Sequence, residues 1–101
     1  MTQAEMNSSL IKMDQLRTLI DQHFPKAKID YEDVCYINNK GEYFIPHYVT
    51  DHKDIDCLFF EYANNESDAE KGLFYDGEWI YIPDYSDGQE LFEEAVKQIN
   101  A

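Results

Sequence analysis

The chain has 101 residues, 44% hydrophobic and 15% aromatic, with 21 acidic against 8 basic side chains and a net charge of −13. That length suits one domain, spanning residues 1–101, with one core. The charge argues against direct nucleic-acid binding, because neutralising phosphates takes Lys and Arg, and against anionic membrane surfaces for the same reason.

The imbalance lies in one half. Residues 51–101 hold 14 acids and three bases (Lys53, Lys71, Lys97), whereas residues 1–50 hold 7 acids and 5 bases. The acidic half also carries Phe59, Phe60, Tyr62, Phe74, Tyr75, Trp79, Tyr81, Tyr85 and Phe92, an apolar content foreign to a disordered acidic tail. No apolar run approaches the roughly 18 residues needed to span a bilayer. The N-terminal residues lack the basic and apolar regions of a signal peptide. The expectation is a cytoplasmic protein, in which Cys35 and Cys57, each inside an apolar run, are buried free thiols; a disulfide between neighbouring strands is the alternative.

The first predicted element is a helix, with Met6, Leu10, Met13, Leu16, Ile20 and Phe24 forming one apolar stripe. Thr2-Gln3-Ala4-Glu5 has the form of a capping box, and Ser8 or Ser9 could instead cap a shorter helix. Pro25 ends it. Alternation over residues 28–32 predicts a short strand, and Val34–Ile37 is a second apolar run. Asn38-Asn39-Lys40-Gly41 reads as a turn. Tyr43–Val49 follows as a strand that Pro46 places at an edge or irregular point. Ile55–Tyr62 is the longest apolar strand and the candidate sheet centre. Residues 63–72 read as a polar acidic loop with room for one helical turn.

Asp76-Gly77 has the chemistry of a two-residue type I′ turn. It predicts a hairpin with Tyr75 opposite Glu78, Phe74 opposite Trp79 and Leu73 opposite Ile80. One face would then carry Leu73, Tyr75, Glu78, Ile80 and Ile82 against helices, and the other Phe74, Trp79 and Tyr81. Ser86 or Asp87 would cap a last helix whose stripe is Leu91, Phe92, Ala95, Val96 and Ile99. Links of hairpin length imply antiparallel pairing. The predicted fold class is α+β: a two-layer domain with a mainly antiparallel sheet of four to five strands and N- and C-terminal helices on one face.

Signatures of chemistry are weak. His47, His52 and Cys57 match no zinc spacing, and Asp51, Asp54 and Asp56 lack the glycine and terminal glutamate of a calcium loop. There is no nucleophile elbow, and glycines at 41, 72, 77 and 88 make no phosphate cradle. The expectation is therefore no enzyme, no metal and no cofactor. The stronger pattern is aromatics beside carboxylates. Phe74, Trp79 and Tyr81 on a sheet face without helices would be partly exposed, and Tyr and Trp are favoured at interface hot spots. Asp56, Glu61, Glu78 and Asp84 would rim them, with Glu66, Asp68 and Glu70 adding charge from the 63–72 loop. Self-packing of these aromatics under that loop is the plain structural reading.

Three functions fit. The first is an inhibitor or immunity-type protein masking a basic partner surface, in its most specific form a DNA mimic whose carboxylates stand in for phosphates. The second is an accessory or adaptor subunit of a larger complex. The third is a small ligand-binding or enzymatic domain with a pocket between sheet and helices. The first is preferred, with a basic protein as partner and the chain itself a monomer or a homodimer.

Overall fold

A computed structural model describes residues 3–29 and 34–101, with side chains from residue 8 onward. Helix α1 spans Gln3–His23. It is already under way at Ser8 and Ser9, so the shorter serine-capped helix does not form; Thr2 lies outside the described residues. Met13, Leu16, Ile20 and Phe24 are buried as expected, but Leu10 is 42% exposed and Ser9 occupies the buried position instead. The stripe steps back by four, three and four residues from Ile20, and at about 100° per residue this reaches Ser9, leaving Leu10 to one side. The helix stops two residues before Pro25.

Of the strand expected over residues 28–32, Lys28 and Ile29 are irregular and the rest lies outside the described residues. Lys26 makes an isolated bridge to Tyr36 in its place. Strand β1 (Tyr36–Ile37) turns through residues 38–42 into β2 (Tyr43–Thr50). The turn is fastened by buried Asn38. Its Oδ1 accepts from the backbone N–H groups of Lys40 (3.0 Å) and Glu42 (2.9 Å), and its Nδ2 donates to the Ile99 carbonyl at 2.8 Å. One side chain thus ties the hairpin to the end of the last helix.

Strand β3 (Asp56–Ala63) pairs antiparallel along the whole of β2, from Tyr43 opposite Ala63 to Thr50 opposite Asp56. It is the sheet centre, as predicted. Because β1 reaches only Phe44, Pro46 sits beyond its end, where β2 is locally an edge and a missing N–H is tolerated. A short helix α2 (Glu66–Glu70), capped by the Asn65 side chain on the Asp68 N–H, occupies the acidic loop.

The Asp76-Gly77 hairpin is not present. Strands β4 (Tyr75–Asp76) and β5 (Ile80–Tyr81) do not pair with each other; both pair antiparallel with β3. Glu61 lies opposite Asp76 and Leu58 opposite Ile80, so Gly77, Glu78 and Trp79 face only Phe59 and Phe60. This is one edge strand interrupted by a bulge of one extra residue. Gly77 has no positive φ, which a type I′ turn would demand, and its N–H donates to the Phe60 carbonyl at 2.7 Å. The glycine is needed for close approach instead: a Cβ there would lie 2.7 Å from Tyr62 Cε2. The proposed pairs of Tyr75 with Glu78, Phe74 with Trp79 and Leu73 with Ile80 are replaced accordingly. Leu73, expected against the helices, is 58% exposed.

A 3₁₀ turn (Ile82–Asp84) leads to α3 (Gly88–Ile99), whose N-cap is Asp87 rather than Ser86, its carboxylate accepting the Glu90 N–H at 2.9 Å. Gly88 abuts α1: a Cβ would fall 2.2 Å from Gln15 Cβ. Phe92 meets His23 farther along, so the two long helices run in the same general direction. Met13, Leu16, Ile20 and Phe24 of α1 and Leu91, Phe92, Ala95 and Ile99 of α3 form one core with Tyr36, Phe44, Leu58, Phe60, Tyr62 and Ile80. The sheet residues in that core share one face by register. The fold is the predicted α+β arrangement, with both long helices on one face.

Candidate functional site: the outer sheet face

Alternation along β2 and β3 sends Ile45, His47 and Val49, with Cys57, Phe59, Glu61 and Ala63, to the face opposite the helices. Tyr81 joins them opposite Cys57, and Asp76 opposite Glu61. The bulge decides where Trp79 goes. In a regular strand Trp79 would lie on the face opposite to Asp76. One extra residue inverts that parity, so Trp79 and Tyr81 join Asp76 outside while Ile80 and Ile82 enter the core.

The result is a row of three rings across three strands. His47 stacks on Phe59 with centroids 5.0 Å apart, and Phe59 stacks on Trp79 at 5.8 Å, with interplanar angles of 22° and 21°. Trp79 is 45% and Tyr81 43% exposed, while Ile45 and Cys57 are buried. His47 Nε2 lies against the Glu61 carboxylate. Asp76 and Glu78 are exposed on the edge strand, and Asp84 is exposed in the turn that follows. At the other end of the face, burial raises the Tyr43 pKa, and the Glu66 and Glu70 carboxylates raise it further, which places α2's charges beside this face.

Of the residues predicted for contact, Trp79, Tyr81 and Glu61 share the outer face, while Glu78, in the bulge, and Asp84, in the 3₁₀ turn, are exposed. Glu66 and Glu70 are exposed on α2, and Asp68 and Phe74 are half-buried. Asp56 departs from the expected rim. It is only 2% exposed, on the helix-side face, where its carboxylate accepts the Tyr48 hydroxyl at 2.6 Å. Register opposite Thr50 sends it inward. His47, Phe59 and Asp76 belong to the face and were missed. The alternation of both strands was visible, but their mutual register depends on the 51–55 turn. There the Asp51 carboxylate accepts the Lys53 and Ile55 N–H groups, and Asp54 takes a φ of 61°. The Ile55 N–H in particular holds the Asp51 pKa below its ordinary value.

Other features are accounted for locally. Cys35 and Cys57 are both buried, and no disulfide joins them. Among the described residues no group of three or more His, Cys, Asp or Glu side chains is placed to hold a metal ion. Tyr36 is buried, donating its hydroxyl to Asp21 at 2.8 Å. A cleft of about 410 Å³ opens between Ser8, Ser9 and Lys12 of α1, the Asp54–Asp56 segment and Pro83. Among the described residues no helix is long and apolar enough to cross a membrane. Comparisons with protein-family models, curated proteins and solved structures found no match to this chain.

Proposed function

We propose that this chain is a small acidic interaction module that docks a basic protein surface on its outer sheet face, as an inhibitor or immunity-type protein masking that surface. The observation that carries the reading is the exposure of Trp79 and Tyr81 on a face without long helices, beside Asp76, Glu78 and Asp84. From Gly72 to Val96 the sequence contains no Lys, Arg or His. Nothing within that stretch offsets its carboxylates, so the face attracts cations. Such a field accelerates encounter with a basic partner and rejects acidic ones. Aromatics at the centre and charges at the margin match the anatomy of interface cores and rims. Nucleic-acid mimicry is a narrower form of the same reading, in which the carboxylates would hold phosphate spacing.

The test is capture of the partner from source-cell lysate at low salt, followed by binding kinetics with the recovered protein. The association rate should fall steeply with ionic strength. Trp79→Ala combined with Tyr81→Ala should weaken binding at least about thirtyfold, the scale of a single hot spot. Ile11→Ala, on the exposed side of α1, should leave it unchanged. Undiminished binding by the Trp79/Tyr81 variant would exclude the outer face.

A further inference from the structure

We propose that the group recognised on this face is an arginine side chain, its guanidinium stacked on the free face of Trp79 and paired with Asp76 and Glu78. This rests on the reading of the outer face as the docking site for a basic partner.

The ring row runs from the middle of the sheet to its edge. His47 lies on β2, Phe59 on the central strand, and Trp79 in the bulge of the edge strand. Phe59 covers one face of the indole. Among the described residues no ring stacks on the other face, and Trp79 remains 45% exposed. Trp79 is thus the open end of a stack, at the sheet margin. A planar cation can extend that stack.

The carboxylates select the cation. Glu61 is engaged by His47. Asp76, the preceding outer-face residue on the same edge, and Glu78, next to Trp79 in sequence, have no Lys, Arg or His within ion-pair distance among the described residues. An apolar occupant would bury these acids unpaired, which is costly. A second copy of the chain would bring a further net charge of −13 to the same place. A guanidinium lies flat on an aromatic ring while its in-plane N–H groups reach carboxylates at the ring's margin. An ammonium is compact and strongly hydrated and does not do both. Trp is the best aromatic partner for such a cation.

The experiment uses fluorescein-labelled hexa-arginine and hexa-lysine peptides, equal in charge, titrated against the whole chain at physiological ionic strength. Anisotropy reads affinity, and the emission of Trp79, the single tryptophan, reads the site. Hexa-arginine should bind roughly two- to fivefold more tightly than hexa-lysine, the range of an exposed cation–π contact, and should change Trp79 emission. Trp79→Leu should bring the two affinities together. Should that variant fail to fold, Asp76→Asn with Glu78→Gln retains the reporter and should shrink the hexa-arginine preference. Equal affinities, or a preference that survives Trp79→Leu, would overturn the arginine assignment while leaving a basic partner in place. Failure of both peptides to bind would overturn both readings.

Discussion

The bulge at Gly77 makes a sharp quantitative claim. Placing a methyl group there puts it 2.7 Å from Tyr62 Cε2 and 3.1 Å from both the Phe60 carbonyl oxygen and Gln98 Oε1. Tyr62 is 6% exposed and packed in the core, and the Phe60 carbonyl is held by the Gly77 N–H itself, so neither yields freely. Overpacking of this kind costs about 1–3 kcal/mol. Removing glycine's unfolded-state freedom returns about 0.4–1 kcal/mol. Gly77→Ala should therefore destabilise the fold by about 1–2 kcal/mol, which lowers a urea midpoint by roughly 1–2 M at an m-value near 1 kcal/mol/M. Equilibrium urea unfolding, followed by Trp79 emission and by far-UV circular dichroism, measures it. Gly77→Asn separates the bulge from a type I′ turn. A positive-φ turn accepts Asn readily, whereas the close approach to Tyr62 penalises any Cβ. Stability within about 0.5 kcal/mol of the parent for either variant would refute the clash, and tolerance of Asn alone would restore the hairpin.

Phe60→Ala, which empties a side chain with no exposed area, should cost about 3–5 kcal/mol, whereas Trp79→Ala, at a side chain left 45% exposed, should cost less; denaturant titration of both variants checks the contrast. Asp87→Ala removes the cap on the Glu90 N–H and should lose about 0.5–2 kcal/mol in the same assay, with most of it recovered by Asp87→Asn. Burial, chiefly, and the hydrogen bond to Asp21 push the Tyr36 phenol up to about 12. A phenol is neutral when protonated, so this contribution to stability is complete below its ordinary value of 10.0 and is lost as pH rises towards about 12. The Tyr43, Tyr48, Tyr62, Tyr75 and Tyr85 phenols are raised as well. Tyrosinate absorbance should therefore appear together with loss of circular dichroism above pH 10; full ionisation near pH 10 with the fold intact would contradict this.

Local patterns made most elements legible. The spacing of Met13, Leu16, Ile20 and Phe24 specifies a helix face, Pro25 its end, and Ser86-Asp87 ahead of Leu91 and Phe92 the start of the last helix. These features act within one or two turns of chain, so neighbours in sequence suffice to reveal them. The central position of the 55–62 strand was readable from the run Cys57-Leu58-Phe59-Phe60, the most apolar stretch of any predicted strand. Even the faces of Ile80, Ile82, Trp79 and Tyr81 were predicted correctly, although the hairpin behind the prediction does not exist. A two-residue turn and a one-residue bulge invert side-chain parity alike, so the periodicity could not tell them apart.

Tertiary structure alone decided which strand the 75–81 segment joins. Asp76-Gly77 is locally suited to a tight turn, but pairing both halves of the segment with β3 covers the second edge of the central strand and seats Ile80 in the core. The same register brought His47 and Phe59 beneath Trp79 and drew Asp56 inward to Tyr48. The sequence by itself determined the two long helices, most of their buried stripes, the long strands at 43–50 and 56–63, and the excess of carboxylates. The outer row of rings depends on inter-strand register, a non-local choice fixed by which pairing buries the most apolar surface at once, and a linear pattern does not contain it.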